Sequence, residues 1–196
     1  MKKQITDIIR QSIQLKQEVL DDELIIEKIQ KVATLIIECY KNGGKVLFCG
    51  NGGSAADAQH LSAELSGRFY YNRRPLPAEA LHVNTSYLTA VANDYTFDQV
   101  YARLVEGMGN PGDILIGLST SGNSANVLNA IAAAKSIGMT AIALTGEGGG
   151  KMYAVCDHCI CIPSKDTPRI QEVHILIGHI LCMLVERSLF PPSKET

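Results

Sequence analysis

Residues 49–64 read CGNGGSAADAQHLSAE, and two kinds of chemistry are legible in that stretch. Gly50, Gly52 and Gly53 follow the apolar run KVLF and suit a backbone that closely approaches an anionic group. His60 and Glu64 then stand four apart in a helix-forming stretch, so they share one face. An imidazole beside a carboxylate serves acid–base catalysis or holds a metal ion. The plainer alternative is a surface pair worth roughly 0.2–0.5 kcal/mol. The position directly after the glycine loop favours chemistry, because the start of this helix faces the ligand side of a sheet. Asp57, three residues before His60, is placed to orient it.

A second turn reads STSGNS and sits between the apolar run DILIGL and the helical ANVLNAIAAAK. Ser119, Thr120, Ser121 and Ser124 put four hydroxyls within six residues, with Gly122 allowing a tight turn. Free backbone N–H groups at the following helix start favour an anion, and a single phosphate fits without a lysine. A helix cap would account for one hydroxyl but not four. Two other phosphate readings fail. Gly50-x-Gly52-x-x-Ala55 resembles a dinucleotide fingerprint, but the next strand ends in Val83-Asn84 rather than the acidic residue that a ribose requires. No G-x-x-x-x-G-K-[ST] is present either.

The last helical stretch sets Gln171, Glu172, His174 and His179 among apolar residues. A buried polar group without a partner costs about 1–3 kcal/mol, so each needs an explanation. His174 reads as a satisfied core histidine. His179, beside Gly178, is a candidate counterpart for Glu64. A carboxylate and an imidazole next to a phosphate site suit aldose–ketose isomerisation, in which a base removes the proton alpha to a carbonyl and an acid returns one to the neighbouring carbon.

The elements that must hold these groups alternate. Strands are expected at 45–50, 79–84, 113–119, 140–146 and 158–163, with helices near 54–66, 86–92, 97–107, 123–137, 149–154 and 169–190. This rhythm predicts an α/β fold with a five-stranded parallel sheet covered by helices on both faces. The polar turns fall at the carboxyl ends of the strands, where such sheets bind ligands. Two helices precede the pattern within residues 1–42, interrupted at LDDE, and the first either pads the core or packs on a partner subunit. Residues 1–196 are expected to form a single domain, with the α/β core at 43–196. The cluster VCDHCICIP offers Cys156, His158 and Cys159 to zinc, but no second ligand pair stands at comparable spacing, so it reads as a buried strand. His82 and His158 fall in expected strands and are given no role.

A chain of 196 residues with 46% hydrophobic and 19% charged residues folds around a substantial core. A net charge of −2 supports neither a nucleic-acid nor a membrane partner. Asp7 and Arg10 interrupt the apolar region that a signal peptide would need, and residues 114–134, though uncharged, carry STSGNSAN at their centre. The expected location is cytoplasmic.

With these residues assembled, the sequence resembles the sugar isomerase (SIS) domain family and, within it, the phosphoheptose isomerases. CGNGGS, DAQHLSAELSGR, AND, STSGNSANV, ALTG, GGKM and RIQEVH match in order and spacing over nearly the whole chain. The resemblance implies an SIS-type fold with an N-terminal helical extension and a homotetramer with sites between subunits. It implies conversion of sedoheptulose 7-phosphate to D-glycero-D-manno-heptose 7-phosphate, which begins ADP-heptose synthesis for lipopolysaccharide core. By the same resemblance Asn51, Gly52, Gly53, Glu64, Asn93, Asp94, Ser119, Thr120, Ser121, Ser124 and Gln171 bind substrate. His60, Glu64, Gln171 and His179 hold zinc, Glu64 and His179 are the acid–base pair, and Arg68 assists. The competing reading is a non-catalytic tetrameric SIS adaptor that binds the bacterial replication initiator, with which the chain shares SAADAQH and LCMLVERSLFPP. That adaptor lacks counterparts of Glu64 and His179, so their presence here favours an enzyme.

Overall fold

The computed structural model describes residues 1–191; Pro192, expected with Pro191 to follow the last helix, lies outside the described residues. Five strands form one all-parallel sheet in the order β2-β1-β3-β4-β5. They are β1 (Val46–Gly50), β2 (Ala78–Ala80), β3 (Ile114–Ser119), β4 (Thr140–Thr145) and β5 (His158–Cys161). The helices are α1 (Lys2–Asp21), α2 (Glu23–Lys41), α3 (Gly53–Ser66), α4 (Thr85–Asp94), α5 (Val100–Met108), α6 (Ala125–Ser136), α7 (Met152–Val155) and α8 (Thr167–Leu189). The α/β class, the parallel sheet and the N-terminal helices agree with expectation.

The central strands are buried along their whole length, as a sheet covered on both faces requires. Alternate residues point to opposite faces. Val46, Phe48, Ile114, Ile116, Ile142 and Leu144 join α2, α3 and α8 in one core. Leu47, Cys49, Leu115, Ala141 and Ala143 join α5 and α6 in the other. Asp22 caps α2 by accepting from the N–H groups of Leu24 and Ile25. The second expected strand is shorter than 79–84. After Ala80 the Leu81 N–H still bonds the Phe48 carbonyl, but the Val83 N–H turns back to the Ala80 carbonyl, so His82 lies in a turn. The cysteine run behaves as strand, with Cys159 and Ile160 buried in β5.

Helices α3 and α8 lie side by side. A Cβ on Gly178 would sit 2.4–2.5 Å from the methyl carbons of the buried Leu61. That missing Cβ sets how closely the two helices approach. His174 is fully buried on α8 and its Nε2 meets the Thr145 carbonyl at 3.1 Å. Burial lowers its pKa to about 4, partly opposed by that hydrogen bond, so it is a neutral core histidine as expected. Among the described residues no helix is long and apolar enough to cross a membrane.

Replacing Gly178 by Val should overpack the α3–α8 contact and cost about 1–3 kcal/mol. Chemical denaturation would read this as a lower midpoint with an unchanged slope.

Candidate functional site

Three helix starts meet at one cleft beyond the carboxyl ends of β1 and β3. Its lining includes Asn51, Gly52, Gly53, Ser119, Thr120, Ser121, Ser124, Thr167 and Gln171, around a volume of about 360 Å³. Helix α3 starts at Gly53, α6 after Ser124 and α8 at Thr167, and none has a side-chain cap hydrogen bond. The Ser54 and Ala55 N–H groups of α3 turn back to the Asn51 and Gly52 carbonyls, the Val127 N–H of α6 bonds the Asn126 side chain, and α8 carries Pro168 in its first turn. The cleft is therefore offered the three helix dipoles and the remaining first-turn N–H groups, and an anion is the ligand they favour. Ser124, the residue best placed to cap α6, bonds the Ser119 hydroxyl at 2.9 Å instead. Among the described residues no lysine or arginine lines the cleft.

The loops are held from behind. Asn51 and Asn126 exchange two side-chain amide hydrogen bonds of 2.9 Å, tying the glycine loop to α6. The Tyr101 hydroxyl donates to the Gly50 carbonyl at 2.6 Å. Gly52 has φ 56°, open to glycine at little cost. A Cβ on Gly53 would lie 2.7 Å from the amide atoms of Gln171, so this glycine admits that side chain. Gly122, with φ 64°, packs its backbone against Gly149, whose carbonyl oxygen would be 2.0 Å from an added Cβ.

The second group of residues lies farther along α3 and α8. His60 Nε2 is 3.1 Å from Glu64 Oε1 and 3.3 Å from His179 Nε2. Donor atoms of His60, Glu64 and His179 all lie within 4.8 Å of one another. Among the described residues this is the grouping of three or more histidine, cysteine or acidic donors compact enough for a metal; the cysteine cluster is not. Burial and the neighbouring His60 lower the pKa of His179, against the opposing pull of Glu64. Asp57 makes no hydrogen bond to His60. Its Oδ2 is buried without a partner, and burial raises its pKa.

Gln171 is on the same helix as His179. It lies eight residues before His179, roughly 12 Å along the helix, and lines the anion cleft. Asn93 and Asp94 are exposed at the end of α4, bonded to each other at 2.9 Å, and are not among the residues lining this cleft. Thr167 and Asn126 are site-forming residues that the reading of the sequence did not single out.

A model of the SIS domain matches residues 9–146. The chain belongs to the SIS domain family. It is 52% identical over 182 residues to a phosphoheptose isomerase of Aneurinibacillus thermoaerophilus, covering 93% of this chain and 92% of the relative. A phosphoheptose isomerase of Rhodospirillum rubrum is 60% identical over 161 residues, covering 82% and 86%. The solved phosphoheptose isomerase of Neisseria gonorrhoeae superposes with a TM-score of 0.89 at 44% identity, covering 94% of this chain and 98% of that one. That of Francisella tularensis superposes with a TM-score of 0.91 at 39% identity, covering 94% and 97%. With relatives this close over most of its length, this SIS-family chain is a sugar phosphate isomerase.

Because Gly122 has positive φ and no room for a Cβ, Gly122→Ala must displace the serine loop. Binding of a sugar phosphate should weaken by about tenfold or more, at least ~1.4 kcal/mol. Calorimetric titration of the folded variant would measure it.

Proposed function

We propose that the chain interconverts sedoheptulose 7-phosphate and D-glycero-D-manno-heptose 7-phosphate. The observation that carries this reading is a convergent His60–Glu64–His179 group on the same two helices that open onto a cationless anion cleft. About 10–12 Å of helix separates the two, from Gly53 to His60 on α3 and from Gln171 to His179 on α8. That separation suits a sugar of several carbons, with its phosphate at the helix starts and its carbonyl end at the histidines. Asn51, Gly52, Gly53, Ser119, Thr120, Ser121, Ser124 and Gln171 bind the phosphate end. Asn93 and Asp94 contribute to substrate binding from outside this cleft.

The donor set fits zinc. In a tetrahedral site with metal–ligand distances of about 2.0–2.1 Å, neighbouring donors lie roughly 3.3 Å apart. The spacings of 3.1 and 3.3 Å from His60 to Glu64 and His179 are close to that value, and all three donors lie within 4.8 Å of one another. His60, Glu64 and His179 would hold the ion, with Gln171 as the further ligand. Bound there, zinc would polarise the sugar carbonyl. Glu64 removes the proton alpha to the carbonyl. His179 exchanges a proton with the sugar oxygen, an enediol forms, and a proton returned to the neighbouring carbon completes the interconversion of the two sugars.

The chain acts as a homotetramer. Ile5, Ile8, Ile9 and Ile13 on α1 are 50–61% exposed, an apolar stripe that assembly would cover. Ile8→Glu with Ile9→Glu should yield smaller species in light scattering, while wild type remains tetrameric.

Glu64→Gln should lower kcat about 10²-fold or more. Chelation should lower turnover of wild type, and added zinc should restore it. A tetramer that binds sedoheptulose 7-phosphate without converting it would overturn the enzymatic reading and favour the adaptor.

A further inference from the structure

Glu186 takes no part in the reaction proposed above, yet it is completely buried. It lies on α8 seven residues, about two turns, beyond His179. Its carboxylate accepts the backbone N–H groups of Phe69, Tyr70 and Tyr71 at 3.0, 2.6 and 3.2 Å. It also accepts from Arg73 Nε at 2.8 Å, and the two side chains are 1% and 2% exposed. Burial alone would raise the pKa of Glu186; those N–H groups and the guanidinium hold it below the ordinary value instead.

The other end of Arg73 reaches the site. Its Nη2 donates to the carbonyl of Glu64 at 2.9 Å, and its Nη1 to the carbonyl of Leu65 at 2.9 Å. The pair is thus a strut from α8 to the backbone of Glu64 itself. Along it runs a loop carrying Phe69, whose ring centre lies 5.7 Å from that of His179 at a tilt of 33°. One side of the strut fixes the end of α3, and the other supports the imidazole. An ion pair buried for stability alone is replaceable by apolar residues of similar volume. Apolar residues could not bond three N–H groups and two helix-end carbonyls.

We propose that Glu186 and Arg73 are positioning residues that set the separation and orientation of Glu64 and His179, through the Glu64 carbonyl and the Phe69 ring. The proposal rests on Glu64 and His179 forming the reactive group. Partners that orient ligands without touching the metal typically change affinity or activity by about 10–100-fold.

The test compares Glu186→Gln, Arg73→Lys and Phe69→Leu, each checked by circular dichroism to be folded at the assay temperature. The probes are cobalt(II) added to metal-free protein, followed by its visible absorption, and steady-state turnover of sedoheptulose 7-phosphate. Cobalt affinity and kcat should each fall ~10–100-fold. KM should move only a few-fold, because other residues build the anion cleft. Folded variants with wild-type kcat and cobalt affinity would show a merely structural strut and overturn the proposal, as would a change confined to KM. Should Glu186→Gln fail to fold, Phe69→Leu, which keeps every backbone bond to Glu186, decides in the same way. If wild type binds cobalt but does not turn over the sugar, the proposed function fails and cobalt affinity alone decides the strut.

Discussion

Leu61 of α3 occupies the notch that Gly178 leaves in α8, and the geometry of the whole site depends on this contact. Two helices that approach so closely have their relative register fixed by packing, because interiors tolerate little free volume. That register sets Gly53 against Gln171 at one end and His60 against His179 at the other. A shift of one residue would move a side chain by about 100° around its helix and 1.5 Å along it. Both halves of the site are therefore consequences of one core contact, and the sheet beneath supplies a rigid base on which α3 and α8 rest.

The anion cleft follows a different economy. Lysines could neutralise a phosphate, but each is flexible and strongly hydrated. Here three helix starts contribute partial positive charge and fixed N–H groups, with hydroxyls filling the remaining directions. The donors are already ordered by the fold, so binding need not pay for ordering long side chains. The arrangement demands backbone conformations that only glycine adopts readily, which explains Gly52 and Gly122 at the loop tips. Ser124 bonds Ser119 rather than its own helix, whose Val127 N–H is already taken by the Asn126 side chain.

Much of this was legible in the residues. Alternation of short apolar runs with helical stretches exposed the parallel sheet, because strands buried on both faces have no polar period to confuse them. The i,i+4 spacing put His60 and Glu64 on one face, and the hydroxyl-rich turn does line the cleft beyond the strands. What stayed hidden depends on distant packing. Nothing local says that His179 meets His60, since the contact spans 119 residues. The strand at 79–84 was overlong because Leu81 is buried like a strand residue although the chain has begun to turn. Glu186 did carry a signal: a lone carboxylate in LCMLVERSLF must either reach solvent or find partners. Its partners lie more than a hundred residues upstream, so only the fold identifies them.

The polar residues of α3 and α8 also show how two packed helices present two different groups. His60, Glu64 and His179 bring donor atoms within 4.8 Å of one another, while Gly53 and Gln171, about two turns earlier on their respective helices, meet at the cleft. A shared helix pair therefore couples the two groups: whatever fixes one end fixes the other. Groups that must converge within a few ångströms are better held by packed helices than by loops, and the contact of Leu61 with Gly178 supplies that packing.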